Sequence, residues 1–153
     1  MSDLWLPALF ACFVWWFGTG AVLFADRLPE SAHRTAMRAA TAVAGVGLYA
    51  IWEGSGERTL AAALLAFAGA VAIWGWHELS FLTGRLTGPR RTPCPPGATG
   101  WRRFVYASET VIHHEIAIAA TGLALAVWLW EAANPLALWT YATLWGMRLS
   151  AKF

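Results

Sequence analysis

Histidine and glutamate residues are concentrated in two short segments of the sequence, WGWHELS and ETVIHHE. Together these segments contain His77, Glu78, Glu109, His113, His114 and Glu115. Imidazole nitrogens and carboxylate oxygens bind transition metals, and imidazole is also an axial ligand of haem iron. The two segments therefore indicate a metal site, a tetrapyrrole site, or a set of charged groups that water and arginines neutralise.

The spacing of these residues limits how many of them can bind one ion. Glu109 and His113 are four residues apart and share one face of a helix. His114 is rotated by about 100° from His113, so the four polar residues of ETVIHHE cannot all bind one small ion. A neighbouring helix contributes His77 and Glu78, which we expect to complete the site.

Three interpretations of these segments remain open. In the first, the charged residues lie near the membrane surface, where charges cost little, and they pair with Arg102, Arg103 or Arg148. In the second they bind a metal, with iron as the candidate ion. Four-helix di-iron proteins use Glu-x-x-His on two helices, whereas this sequence has a single Glu-x-x-x-His. The candidate metal ligands are Glu78, Glu109, His113 and Glu115. In the third, an imidazole binds a tetrapyrrole magnesium or a haem iron, and the candidates are His77, His113 and His114.

The composition predicts a membrane protein. Of the 153 residues, 58% are hydrophobic and 13% are charged, against about 25% charged in an average soluble domain. The apolar residues form long runs, and the eleven tryptophans suit the headgroup level of a bilayer. A net charge of only +2, without a basic run interleaved with aromatics, argues against nucleic-acid binding. We expect no disulfide between Cys12, in an apolar run, and Cys94, in a polar loop.

The apolar runs predict an all-α fold, a polytopic membrane bundle of four or five transmembrane helices in one domain. The expected spans cover residues of about 4–24, 35–52, 60–82, 110–130 and 135–149. The first lacks the basic start of a cleaved signal peptide and is expected to stay as an anchor. The last is short for a bilayer, which needs about 20 apolar residues.

The basic residues predict the orientation. Of the eleven lysines and arginines, only Arg58 lies on one side of the predicted membrane. The other ten lie on the opposite side: Arg27, Arg34, Arg38, Arg85, Arg90, Arg91, Arg102, Arg103, Arg148 and Lys152. By the positive-inside rule, the N-terminus is periplasmic, and the loop 83–103 and the C-terminus are cytoplasmic. Both His/Glu segments then lie one to two turns inside the cytoplasmic boundary.

The loop 83–103 is rich in proline, glycine and arginine, so we expect a turn rather than a helix there. Four of its arginines could contact anionic lipid headgroups or an acidic partner, each contributing about 1 kcal/mol near the surface. These are Arg90, Arg91, Arg102 and Arg103. The simpler interpretation is that they only set the topology. No phosphate loop, nucleophile elbow or CxxC pair is present, so soluble-type catalysis lacks a motif.

Several longer motifs resemble a known family. LWLPALFACFVWWFGTGAVLFADRLP, HELSFLTG followed by GPRRTPCPPG, TVIHHEIAIAAT and LWGMRLSAKF together resemble the photosynthetic complex assembly protein family PuhE. That family is encoded beside the gene of the reaction-centre H subunit in phototrophic bacteria. Its members continue past the RLSAKF segment with further spans, so the resemblance implies that this chain is the N-terminal half of such a protein, the product of a truncated gene, or a fragment. The family has no established catalytic residues to transfer.

The resemblance implies an inner-membrane assembly factor for the photosynthetic reaction centre and light-harvesting antenna, not an enzyme. We expect it to contact complex subunits, and bacteriochlorophyll as a further partner, through its helices within the lipid. Small residues on the second and third spans would allow close backbone approach: Gly45, Gly47, Gly69 and Ala72. The alternatives are a His/Glu metal-dependent oxidoreductase acting on a pigment or lipid, and a permanent minor subunit of the complex.

Overall fold

The computed structural model describes residues 5–150 and contains five helices. In chain order they are α1 (Trp5–Asp26), α2 (Glu30–Ser55), α3 (Leu60–Leu82), α4 (Gly100–Trp128) and α5 (Leu136–Ser150). No strand occurs within residues 5–150, and the prediction of an all-α fold is confirmed. The first residue of the predicted first span, Leu4, and the predicted cytoplasmic Lys152 lie outside the described residues.

Three of the five helices are long and apolar enough to cross a membrane, namely α1, α3 and α4. This finding supports a helical membrane bundle. The helix α2 carries two arginines near its start, and α5 has only 15 residues. Membrane crossing by these two helices therefore stays a prediction, although α2 lies beside α3 over much of its length.

The predicted helix bounds agree best for α3, which spans the expected residues 60–82. The largest difference is at α4, which begins at Gly100, ten residues before the expected start at Thr110. Its first turns contain the polar sequence WRRFVYASE, which hydropathy alone cannot distinguish from a loop. The segment between α3 and α4 is consequently shorter than the predicted loop 83–103 and covers residues 83–99.

The helix α3 lies at the centre and contacts each of the other four helices. Its strongest partner is α2, which runs antiparallel to it and approaches closely at two glycines. A Cβ on Gly69 would overlap the carbonyl oxygen of Gly47, and a Cβ on Gly47 would lie 3.0 Å from the Ala72 side chain. Gly45, in contrast, is exposed and has no atom within 4 Å of such a Cβ. The small residues Gly47, Gly69 and Ala72 thus serve contacts within the chain.

The short helix α5 is held by polar contacts with the end of α2 just before its start and by an apolar core shared with α3 and α4. The side-chain amide of Asn134 donates to the carbonyl of Gly54 at 2.8 Å, and its backbone amide donates to Ser55 at 3.0 Å. These bonds satisfy carbonyls at the end of α2 that have no partner in the helix. The core residues are Ile51, Ala66, Ala70, Ile73, Trp74, Ile118, Leu125, Leu129, Ala137 and Tyr141.

Nine arginines lie at one end of the bundle, where α1, α3 and α5 end and α2 and α4 begin. We call this the basic end. Arg58 lies at the opposite end, between α2 and α3, where it donates to the carbonyl of Ala133 at 2.7 Å. The predicted one-sided distribution of arginines is therefore present among the described residues.

Candidate functional site

Two His-Glu dipeptides face each other near the basic end, His77-Glu78 on α3 and His114-Glu115 on α4. The two imidazole rings are buried, with their centroids 6.2 Å apart. Both glutamates bind the guanidinium of Arg148 on α5. Three helices therefore contribute to one polar cluster inside the bundle, which we call the His–Glu–Arg cluster.

Arg148 is the centre of this cluster. Its Nη1 donates to both carboxylate oxygens of Glu78, at 2.6 and 2.7 Å, and its Nε lies 3.6 Å from Oε1 of Glu115. The indole Nε1 of Trp145 donates to Oε2 of Glu115 at 3.4 Å, and the ring of Phe81 lies 5.2 Å from the guanidinium carbon. One cation thus faces two carboxylates, and all three side chains are less than a quarter exposed. The contact joins α3, α4 and α5.

The two imidazoles have different surroundings. Nε2 of His77 is hydrogen-bonded to Oγ1 of Thr121 at 3.0 Å, while its Nδ1 is buried without a hydrogen-bond partner in the described part of the chain. The His114 ring lies 4.8 Å from the ring of Phe81. Tyr141 lies 6.1 Å from His77 and donates its hydroxyl to the carbonyl of Ile118 at 3.2 Å. These rings fill the space between α3, α4 and α5.

Glu109 and His113, the pair that the spacing favoured, lie outside this cluster. Oε2 of Glu109 is 3.4 Å from Nη1 of Arg90, and the side chain of His113 is exposed on the outer surface of α4. The structure therefore does not bring the predicted set together, because His77 faces Thr121 and Glu78 faces Arg148. Within residues 5–150, no group of three or more His, Cys, Asp or Glu side chains is arranged to hold a metal ion.

The three histidines differ in what they could offer a tetrapyrrole. An axial imidazole needs open space beside its nitrogen for the macrocycle. His77 and His114 are 2% and 0% exposed, so neither presents its ring at the bundle surface. His113, in contrast, is exposed. Of the three candidate axial ligands, only His113 is therefore accessible from outside the described bundle.

The loop between α3 and α4 is bonded to the backbone of α4 beside the cluster. The amide of His114 donates to the carbonyl of Thr87 at 3.1 Å, and the amide of Arg90 donates to the carbonyl of Glu109 at 3.1 Å. Gly88 lies between these bonds, where a Cβ would overlap the Glu109 carbonyl oxygen. A residue without a side chain is required at this position. The loop therefore covers α4 at the turn that carries the two histidines.

Arg90 is used inside the chain rather than at its surface. Besides its contact with Glu109, its Nη2 donates to the carbonyl of Pro93 at 3.1 Å, and its guanidinium lies 4.2 Å from the centre of the Tyr106 ring. Arg91, Arg102 and Arg103 are exposed, and Arg102 and Arg103 lie in the first turn of α4. Only these three of the four predicted lipid- or partner-contacting arginines have exposed side chains.

Sequence reasoning named Arg148 as one of three arginines that could pair with the glutamates, but it did not identify it as the centre. Two signals pointed to it. The dipeptide His-Glu occurs at 77–78 and again at 114–115, and a single arginine is present in α5. Tyr141, a fully buried side chain beside His77, was missed altogether.

The comparisons with known proteins identify the family. Residues 1–153 match the family described as Protein of unknown function (DUF3623), and the chain belongs to that family. It is similar to the "Uncharacterized 30.4 kDa protein in puhA 5'region" of Rhodobacter capsulatus, with 38% identity over 156 residues. The similarity covers 99% of this chain and 57% of the relative, so the chain spans a little over half of the relative's length. No solved structure matches.

Proposed function

We propose that this member of the DUF3623 family is an inner-membrane assembly factor for the bacterial photosynthetic reaction centre and light-harvesting complex. The observation that carries the proposal is the similarity, along 99% of the chain, to a protein in the puhA 5' region. The motifs that resemble the PuhE family, HELSFLTG and GPRRTPCPPG among them, support the same function.

The His–Glu–Arg cluster supports a structural role for its charged residues. Glu78 and Glu115 are both bound to Arg148, which neutralises part of their charge within the bundle. Their negative charge stabilises the contact of α5 with α3 and α4. We therefore propose that the protein acts without catalysis and that this cluster fixes the shape of the bundle.

The outer surfaces of α1 and α4 are suited to contact with other transmembrane helices. No residue of α1 is buried, and Trp16 and Phe24 are 72% and 69% exposed. In a bilayer such side chains contact lipid or a neighbouring helix. We propose that reaction-centre or light-harvesting subunits bind there, and that His113 is the residue available to bacteriochlorophyll.

The basic end is proposed to face the cytoplasm. Nine of the ten described arginines lie at that end, and such residues are retained on the cytoplasmic side. The loop between α3 and α4 would then be accessible to cytoplasmic factors, and the surface of α1 to the lipid phase of the inner membrane.

The test is deletion and tagging of the gene in bacteriochlorophyll-producing cells. We expect the tagged protein to co-purify with complex subunits in less than stoichiometric amount, and its deletion to lower the near-infrared absorption of assembled complexes. A pigment or lipid precursor that accumulates in the deletion strain would instead support the metal-dependent oxidoreductase. Stoichiometric recovery with the mature complex would support a permanent minor subunit. Normal complex yield without the gene would refute the assembly role.

The ligand is tested on the purified protein by its absorption spectrum and by metal analysis. If His113 binds a tetrapyrrole, His113→Ala removes the pigment band, while the exposed Glu109→Gln variant, one turn earlier on α4, retains it. Loss of stoichiometric iron in both variants would support a metal site instead. A well-folded protein without pigment or metal would leave helix contacts as the basis of assembly.

A further inference from the structure

A cavity of about 570 Å³ lies at the basic end between α2 and the end of α3. Its size falls within the roughly 300–1,000 Å³ of small-molecule sites. Three arginines line it: Arg34 and Arg38 from α2, and Arg85 just after α3. They are distinct from the arginines of the His–Glu–Arg cluster and of the loop. None of the described residues that line this cavity carries a carboxylate.

No carboxylate of residues 5–150 pairs with the three guanidinium groups. In residues 5–150, no ion pair or side-chain hydrogen bond involves any of them, whereas Arg90 and Arg148 are both paired with glutamates. Arg34 and Arg38 are four residues apart and share one face of α2. The backbone amides of Arg85 and Leu86 both donate to the carbonyl of Ser80 at 3.0 Å, which fixes the turn that carries Arg85. Three positive charges therefore surround one cavity.

Ser80 supplies a hydroxyl at the wall of the same cavity. It is 2% exposed, and its only hydrogen-bond acceptor in the described part of the chain is the sulfur of Met37, at 3.9 Å. A thioether is a weak acceptor, so the hydroxyl can donate to a stronger one. Phosphate oxygens are strong acceptors, and arginine binds phosphate with several hydrogen bonds. The hydroxyl and the three guanidinium groups therefore match a phosphate group.

The remaining walls are apolar and lie at the membrane boundary. Met37, Leu86 and the indole of Trp76 line the cavity. The Trp76 ring is fixed because its Nε1 donates to Oγ1 of Thr41 at 3.0 Å. Tryptophan at the end of a membrane-spanning helix favours the headgroup level, with acyl chains beside it. The site combines a phosphate-binding part with an apolar part.

We propose that this cavity binds the phosphate headgroup of one anionic phospholipid, with its acyl chains against Trp76 and Met37. Basic pockets between transmembrane helices are known to bind such headgroups. The proposal does not depend on the assembly function, because it concerns a different surface. It assigns Arg34, Arg38 and Arg85 as the lipid-binding residues.

The experiment is native mass spectrometry of the detergent-purified chain, titrated with dioleoylphosphatidylglycerol and, separately, with dioleoylphosphatidylcholine. We expect saturable binding of one phosphatidylglycerol and weaker binding of phosphatidylcholine. Each interfacial arginine contributes about fivefold in affinity. The triple variant Arg34→Gln, Arg38→Gln, Arg85→Gln should therefore bind phosphatidylglycerol roughly a hundredfold more weakly.

The matched control is the triple variant Arg91→Gln, Arg102→Gln, Arg103→Gln, which removes the same charge from other exposed positions. It should keep its affinity within about threefold, since surface charges beyond a Debye length of about 8 Å are screened. The variant Arg34→Lys, Arg38→Lys, Arg85→Lys retains the charge and should keep most of the binding, so it tests the site even where the glutamine variant folds poorly.

Competition with inorganic phosphate distinguishes the two sources of the phosphate group. Failure of excess phosphate to displace phosphatidylglycerol supports the lipid as ligand. Complete displacement, with binding of phosphate alone, would overturn the lipid assignment in favour of free phosphate. Equal affinity for both lipids, or equal loss of affinity in the control variant, would overturn the site itself.

Discussion

Replacing Arg148 with methionine should destabilise the bundle strongly, because it leaves two carboxylates facing each other without a cation. Removal of one partner from a buried ion pair costs about 3–5 kcal/mol. Glu78 and Glu115 keep 22% and 18% of their side-chain surface exposed, so some charge is hydrated and the lower value applies. We expect a loss of about 3 kcal/mol in the free energy of unfolding, on the basis of these two contacts.

Removing all three charges together should be much less harmful. The variant Arg148→Met, Glu78→Leu, Glu115→Leu leaves no buried charge, and replacing a buried ion cluster with apolar residues of similar volume is often nearly neutral. We expect its free energy of unfolding to differ from that of the natural chain by less than about 1 kcal/mol, as for other buried ion clusters. The matched control, Arg103→Met, removes an exposed arginine from α4 and should change stability by less than about 0.5 kcal/mol.

The assay is unfolding in dodecylmaltoside micelles titrated with dodecyl sulfate, followed by far-ultraviolet circular dichroism. Tryptophan fluorescence gives a second signal, because Trp145 donates to Glu115 inside the cluster. The reasoning is refuted if Arg148→Met unfolds at the same dodecyl sulfate fraction as the control. It is also refuted if the triple variant is as unstable as the single one, because uncompensated charge would then not be the cause.

Three further predictions concern packing and topology. Gly69→Ala places a Cβ against the carbonyl of Gly47 and should lower the free energy of unfolding by about 1–3 kcal/mol, measured by dodecyl sulfate unfolding. The control Gly45→Ala, whose Cβ meets open space, should be neutral or stabilising. Equal costs for the two variants would contradict the contact between α2 and α3. Gly88→Ala should release the loop from α4 and speed proteolysis between α3 and α4, and an unchanged cleavage rate would show that the loop is not held there. Cys94 is exposed in that loop, whereas Cys12 lies within the apolar helix α1, so a membrane-impermeant maleimide should label only Cys94. We expect this labelling in inverted vesicles and not in intact spheroplasts. Labelling of Cys94 in spheroplasts would reverse the proposed orientation.

The helices could be predicted from apolar runs, but their ends depend on contacts. The bounds of α3 agreed with the prediction because a long apolar run, interrupted only by His77, Glu78 and Ser80, is preceded by Thr59 and followed by Thr83. The start of α4 did not, because its first turns contain Arg102 and Arg103 on exposed positions of a continuing helix. Hydropathy reports how favourably residues transfer into lipid, so the polar turns of a helix that extends into the headgroups have the same low hydropathy as a loop.

The face of α4 that enters the bundle was harder to predict, for a physical reason. In a soluble helix the apolar face is buried, but in lipid both faces can be apolar. The inward positions here are His114, Ile118, Thr121 and Leu125, at alternating spacings of four and three residues. The polar residues His114 and Thr121 mark this face, because polar side chains find partners in the bundle and none in lipid. The pairing of Glu109 with His113 followed helix spacing alone and therefore selected the outer side.

The short helix α5 shows why the polar cluster lies where it does. Its 15 residues extend over about 22 Å at 1.5 Å per residue, less than the roughly 30 Å of a hydrocarbon core. Polar side chains near both of its ends are paired within the bundle, and unpaired polar groups in an apolar layer cost several kcal/mol. The backbone amide of Leu136 at the start of α5 donates to Oδ1 of Asn134 at 3.2 Å, and Arg148 in the last turn of α5 is paired with Glu78. Glu78 of α3 and Glu115 of α4 therefore bind the arginine in the last turn of α5, and this contact joins the three helices.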